Sequence, residues 1–340
     1  LILLEDDEKV RRNAGSEGKA MTVVRIIGLV SAAIGALLAI TIIVLWTPDT
    51  DAAAMEEKYM TPQSRFVDGQ GGLRVHMREL GPDDAPAIIF IHGTAASLHT
   101  WEPVMADLAR DYHVIAYDQP GHGLTGPHPE RNYRYEGMAD GLDAVFDAAG
   151  LDRAVLVGNS MGGWIAWRDA LANPDRVEAL VLLDASGIPQ TRRTEGTLGF
   201  KVLGSPLGRA VSAHITPRSM IEASVNDAYG RDEVVTDELV DRYWELLRYP
   251  GNRQAMGDQF RTERADLSSR LAEITAPTLI LWGEDDQLVD VSSVAAFEGA
   301  IPNARSIIYE EVGHIPMEEV PELVISDIRA FLKEVHAETP

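Results

Sequence analysis

Short, nearly continuous apolar runs recur from residue 87 onward, and they constrain the fold of this chain more than any other feature. They are Ala87–Ile91, Val114–Tyr117, Ala154–Val157, Leu180–Leu183, Thr278–Trp282 and Ser306–Tyr309. Runs of this kind are what parallel strands buried on both faces look like. Most are separated by stretches with helical spacing, such as Met138–Ala149 and Gly162–Ala172, which predicts consecutive strand–helix–strand units and a doubly wound, mostly parallel α/β sheet. Ahead of them, alternating apolar positions in Arg65–Glu79 around Asp68-Gly69-Gln70-Gly71-Gly72 predict an opening β-hairpin. At 340 residues and 45% hydrophobic, the chain can bury one large core with appendages.

The strand pattern breaks between Gly187 and Ala276, where apolar residues recur at helical spacing around Leu239, Tyr243, Leu246 and Leu247. The reading is an inserted helical cap over 188–275, between core parts 64–187 and 276–340. Insertions at the carboxyl ends of parallel strands cover the place where open α/β sheets bind ligands. Met220, Ile221, Tyr243, Trp244 and Tyr249 are candidates to line its underside.

The N-terminus is organised differently. From Ile26 to Trp46 no residue is charged, and the segment is long enough to cross the roughly 30 Å hydrocarbon layer as one transmembrane helix. Lys9, Arg11, Arg12, Lys19 and Arg25 precede it, whereas Asp49, Asp51, Glu56 and Glu57 follow with only Lys58. The positive-inside rule then makes 1–25 cytoplasmic and the catalytic portion extracytoplasmic, periplasmic or at the cell surface. The alternative is a cleaved secretory signal starting at Met21, with Ala52-Ala53-Ala54 near the cleavage site. Residues 47–63 read as a polar linker.

Gly158-Asn159-Ser160-Met161-Gly162-Gly163 stands directly between an apolar run and a helical stretch. A strand, a sharp turn and a helix form the setting of a nucleophile elbow, in which small residues let the two backbones approach and Ser160 presents its hydroxyl above the sheet. A serine hydroxyl needs a base, and the base needs an orienting group. Downstream histidines are His214 in the cap, His314 in a loop after the last strand, and His336 in the polar tail; His314 is the candidate base. The acid belongs on Gly283-Glu284-Asp285-Asp286, with Asp286 chosen, Asp285 second, and Asp184 at the preceding strand end as an alternative. Oxyanion donors are expected from the N–H of Met161 and that of Thr94, with Ala95 second. His92 and His122, in glycine-dense turns before the elbow, read as structural.

These motifs closely resemble the α/β-hydrolase superfamily from about Arg65 to the end. The markers occur in order: Phe90-Ile91-His92-Gly93, Asp118-Gln119-Pro120-Gly121-His122-Gly123, the elbow, Gly283-Glu284-Asp285-Asp286, and Gly313-His314 with Glu319 and Pro321 beyond. The family's acid lies three residues after the glycine, which favours Asp286. Departures are Thr125, where serine is common, and Asp290, where proline is common. The elbow is similar to those of bacterial carboxylesterases and lipases, and of meta-cleavage-product hydrolases that split C–C bonds. The latter typically carry a Gly-Pro-Gly-rich oxyanion loop and a Trp after the base histidine; here stand Thr94-Ala95-Ala96-Ser97 and Ile315.

The resemblance implies a serine hydrolase of medium-sized hydrophobic carboxylic esters, using water. The alternatives are C–C, lactone or thioester hydrolysis, or a ligand receptor without turnover. The formal charge of −23 argues against nucleic-acid partners. The absence of cysteine excludes thiolate metal sites and a Cys nucleophile. The histidines lack ligand spacing, so neither metal nor organic cofactor is expected.

Overall fold

The computed structural model describes residues 25–37, 39–190 and 197–338, and the chain divides into two units between Thr47 and Pro48. In the first unit, α1 (Arg25–Leu45) has 21 residues, a mean hydropathy of 2.6 and no buried positions. At 1.5 Å per residue it is about 31 Å long, matching a membrane span in length and composition. Lys9, Arg11, Arg12 and Lys19 lie outside the described residues.

The second unit opens with a finding the sequence did not predict. Where a linker was expected over 47–63, Ala52–Tyr59 form helix α2. Asp51 caps it, its carboxylate accepting the Ala54 N–H at 2.9 Å. Lys58 and Tyr59 donate to Glu245 at 2.6 and 2.7 Å, and Asp49 pairs with Arg253 at 2.6 Å. None of its residues is fully buried, so no apolar stripe announces it; partners almost 200 positions away hold it.

Next come β1 (Ser64–Asp68), β2 (Arg74–Leu80), β3 (Ala87–Ile91), α3 (Glu102–Leu108), β4 (His113–Tyr117) and α4 (Tyr135–Ala149). They are followed by β5 (Ala154–Asn159), α5 (Met161–Ala172) and β6 (Val177–Leu183). Helices α6 (Leu198–Leu203), α7 (Pro206–Ser212), α8 (Arg218–Ala228), α9 (Asp237–Leu247) and α10 (Asn252–Gln259) then intervene before β7 (Thr278–Gly283). The chain ends with α11 (Ser293–Ala300), β8 (Ala304–Tyr309), α12 (Pro316–Glu319) and α13 (Pro321–Glu338).

The eight strands form one sheet in the order β1-β2-β4-β3-β5-β6-β7-β8. The hairpin strands β1 and β2 run antiparallel to their neighbours, and β3 to β8 are parallel. Strand alternation sorts the core into two layers. Ile89 and Ile91 join the cluster containing Leu142, Val145, Ile165 and Phe297; Ile88 and Phe90 join that of Val104, Leu108, Ile328 and Leu332. Both faces of β3 are therefore dry, which is why its sequence is apolar throughout. Each such side chain contributes about 1.5–3 kcal/mol by burial. Sandwiched this way, the parallel strands aim their carboxyl ends in one direction, where Ser160, Asp286 and His314 follow β5, β7 and β8.

Candidate active site

Ser160 is the joint between β5 and α5, with φ 54° and ψ −115°. Such a conformation costs a non-glycine residue about 1–3 kcal/mol, so the surroundings must impose it. The Ser160 N–H donates to the Leu183 carbonyl at 2.9 Å, and the Ser160 carbonyl accepts from Ser186 and Trp164 N–H at 3.0 and 3.1 Å. The glycines supply room: a Cβ on Gly158 would sit 2.4 Å from the Gly162 carbonyl oxygen, and one on Gly162 2.0 Å from that of Ile91.

His314 Nδ1 lies 2.7 Å from Asp286 Oδ2, both side chains buried. Asp286 Oδ1 accepts the Leu288 and Val289 N–H groups at 2.7 and 3.0 Å, which fixes the carboxylate and leaves Oδ2 for the imidazole. Asp285 points away into solvent. Asp184 is fully buried, and its Oδ1 accepts the Gly283 N–H at 2.9 Å. Burial first, and then the Asp286 carboxylate beside it, push the Asp184 carboxyl well above the usual range. Among the described residues, Asp184, Asp286 and His314 form a group close enough to hold a cation, with ligand atoms within 4.8 Å of one another. Asp286 and Asp184 Oδ1 are committed to backbone N–H groups and the imidazole, while Asp184 Oδ2 has no partner among the described residues.

Ser160 and His314 line the same cavity, though among the described residues no hydrogen bond yet joins Ser160 Oγ to His314 Nε2. Such bonds often tighten only when substrate binds. Gly93, Thr94 and Ala95 also line that cavity. Gly93 and Ala96 close a turn by an N–H···O bond of 3.3 Å, and Ala95 takes φ 66° within it. Neither the Thr94 N–H nor the Met161 N–H, the latter in the first turn of α5, has an acceptor among the described residues. Beneath them, the Gln119 N–H donates to His92 Nε2 at 3.0 Å while His92 Nδ1 lies 2.8 Å from the Gly93 carbonyl. That pattern makes His92 a neutral Nδ1–H tautomer, and burial lowers its pKa. His122 is pushed down to about 3 by burial and by His92 beside it. Both rings support the loop, as the glycine-dense turns implied.

Two positioning residues carried no assigned role in the sequence reading. Asn159 Nδ2 donates to the His314 carbonyl at 3.0 Å, tying the elbow directly to the histidine loop. Glu319 accepts N–H groups from Gly313 at 3.0 Å, Ile315 at 3.3 Å and Gly230 at 2.9 Å, gathering that loop and the segment after α8. Glu319 does stand in a family marker, and a carboxylate just after a helix-initiating proline is the available signal; Asn159 offers none.

The cavity above Ser160 has about 630 Å³ of empty space, part of it open to solvent, and among the described residues no Lys, Arg, Asp or Glu lines it. A neighbouring cavity of about 520 Å³ shares Phe200, Ile221 and Leu247 with it and continues among α6, α7 and α8. Of the residues expected beneath the helical insertion, Met220, Ile221 and Tyr243 line these cavities. Trp244 and Tyr249 do not. Trp244 Nε1 donates to the Thr216 carbonyl at 2.8 Å, and the Tyr249 hydroxyl turns to Glu56 at 3.2 Å.

The sequence model of the alpha/beta hydrolase fold matches residues 86–321. The chain belongs to this family. A 2-hydroxy-6-oxononadienedioate/2-hydroxy-6-oxononatrienedioate hydrolase of Cupriavidus pinatubonensis is 34% identical over 266 residues, covering 74% of this chain and 89% of the relative. Among solved structures, a membrane phospholipase A described as a bacterial virulence factor superposes with a TM-score of 0.69 at 26% identity, covering 92% of this chain and 98% of its own. A lipase of Acinetobacter baumannii, so assigned provisionally, gives 0.70 at 25% identity, covering 86% and 99%. This α/β hydrolase is an enzyme of the hydrolase class.

Proposed function

We propose that this α/β hydrolase cleaves carboxylic esters bearing an extended apolar acyl group, through an acyl-enzyme on Ser160. The observation that carries the reading is the mostly apolar cavity lined by Ser160, Thr94 and His314, continued by a second apolar cavity that has Arg253 in its wall. Ser160 Oγ attacks the acyl carbon as its proton passes to His314 Nε2, and Asp286 holds the Nδ1–H tautomer. The Thr94 and Met161 N–H groups receive the oxyanion. Collapse expels the alcohol with the proton from His314. Water, deprotonated by the same imidazole, then releases the acid and restores the serine. Helices α6 to α10, within 188–275, act as the cap. Helix α1 anchors the enzyme in a membrane with the catalytic unit outside the cytoplasm, and the likeness to a membrane phospholipase A supports including lipid esters.

C–C hydrolysis is the second reading, favoured by the name of the Cupriavidus relative. Against it, the dienedioate named there carries two carboxylates, and among the described residues the cavity that Ser160 lines has neither a lysine nor an arginine to pair them. The test is a p-nitrophenyl ester series of increasing chain length, run beside a ring-fission dienedioate on wild type and Ser160→Ala. We expect ester turnover that rises with chain length and disappears in the variant. Dienedioate cleavage more efficient than that of every ester would replace the first reading with the second.

A further inference from the structure

Ser160 and Thr94 border another cavity, of about 790 Å³, whose chemistry differs from that of the apolar pair. Ser186, Gln190, Gln259, Thr262 and Arg264 give it a polar wall. Arg264 supplies the cation. Its Cζ lies 4.5 Å from the centroid of the Trp164 ring on α5, an arrangement that fixes the guanidinium plane and leaves its N–H edge available. The loop bearing it is tied to the same helix by Arg168, which donates to the Ala265 carbonyl at 3.4 Å.

In a chain with 53 acidic against 30 basic side chains, a counter-ion for this arginine would be easy to provide. Arg264 nonetheless has no carboxylate partner among the described residues, and it is exposed where it borders the cavity. It stays charged at neutral pH. An exposed guanidinium without a counter-ion is open to anionic ligand oxygens, which it can bind bidentately. Gln259 adds a second unmet demand: its side chain is buried and its Oε1 has no donor, so it can accept from a ligand hydroxyl.

We infer that Arg264 recognises an anionic group on the alcohol half of the substrate, a phosphate or carboxylate close to the scissile ester. The inference rests on the ester reading above: with the acyl group in the apolar cavities, the leaving alcohol faces the wall that carries Arg264. The substrate class becomes an amphiphilic ester with an apolar acyl chain on one side of Ser160 and an anion on the other.

The test compares 1-decanoylglycerol 3-phosphate with neutral 1-decanoylglycerol, and the corresponding butanoyl pair, on the detergent-solubilised full chain. Wild type, Arg264→Gln and Arg264→Lys are assayed. Wild type should prefer the phosphate esters. Arg264→Gln should lower the phosphate-to-neutral ratio of kcat/KM roughly tenfold to a hundredfold, through KM, and Arg264→Lys should recover part of it. A ratio change confined to the decanoyl pair assigns the anion to a lipid headgroup; a change in both pairs extends it to soluble phosphate esters. Equal losses on phosphate and neutral esters, or no wild-type preference, would overturn the inference while leaving the ester reading intact. No wild-type turnover of any of the four would remove both.

Discussion

Asp286 is held by two backbone N–H groups and the imidazole, a geometry that restricts His314 to one tautomer. Asp286→Asn removes that restriction while keeping the shape, and the expected outcome is a fall in kcat of roughly 10⁴-fold with the fold preserved, measured by ester kinetics beside circular dichroism. Asp184 acts in the opposite electrostatic sense. Its folded-state pKa lies above that of the unfolded chain, so the folded state binds the proton more tightly. The stability linked to it is complete below the unfolded carboxylate range and is lost as pH rises toward the folded value. Asp184→Asn should therefore match wild type in thermal midpoint near pH 4 and exceed it at pH 8; parallel midpoint curves would refute the raised pKa. Among single residues, the Asp286–His314 pairing and the placing of Ser160 and His314 on one cavity were legible because chain order and loop spacing are local properties. Arg264 and Asn159 were not, since their significance lies in partners brought near only by folding.

The elbow works as an element because strand and helix backbones nearly touch. With a Cβ on Gly162 only 2.0 Å from the Ile91 carbonyl oxygen, Gly162→Ala forces β3 and α5 apart. The expected cost is about 3 kcal/mol, read from urea unfolding, with loss of active serine by fluorophosphonate titration. Helix α9 depends on a different device. Glu318 of α12 accepts from Arg242 at 2.6 Å, Thr100 at 2.5 Å and Tyr243 at 3.2 Å. Glu318→Ala strands the mostly buried Arg242 cation and should destabilise by about 3–5 kcal/mol. At this scale the strands were readable, because burial on both faces imprints a continuous apolar run. Helix α2 was not, because Asp51, Lys58 and Tyr59 are satisfied by Ala54 and Glu245 rather than by an apolar stripe. The cap-lining set divided for the same reason: period alone does not tell Tyr243, which faces the cavity, from Trp244, whose indole N–H serves Thr216.

At the level of the whole molecule, the division between Thr47 and Pro48 predicts that a chain beginning at Pro48 retains the catalytic unit. It should remain in the supernatant after ultracentrifugation with ester kcat/KM within about twofold of the solubilised full chain, while the full chain sediments with membranes; co-sedimentation of the shortened chain would argue against α1 as the anchor. The sheet order also has a consequence for biogenesis. Asn159 clasps the carbonyl of His314, 155 positions later, and the loop it clasps lies just ahead of α13, the last helix. A nascent chain therefore presents Ser160 long before His314, and the proposed triad is not assembled until the segment bearing His314 has emerged. Turnover then reports that the strands carrying both loops have come together.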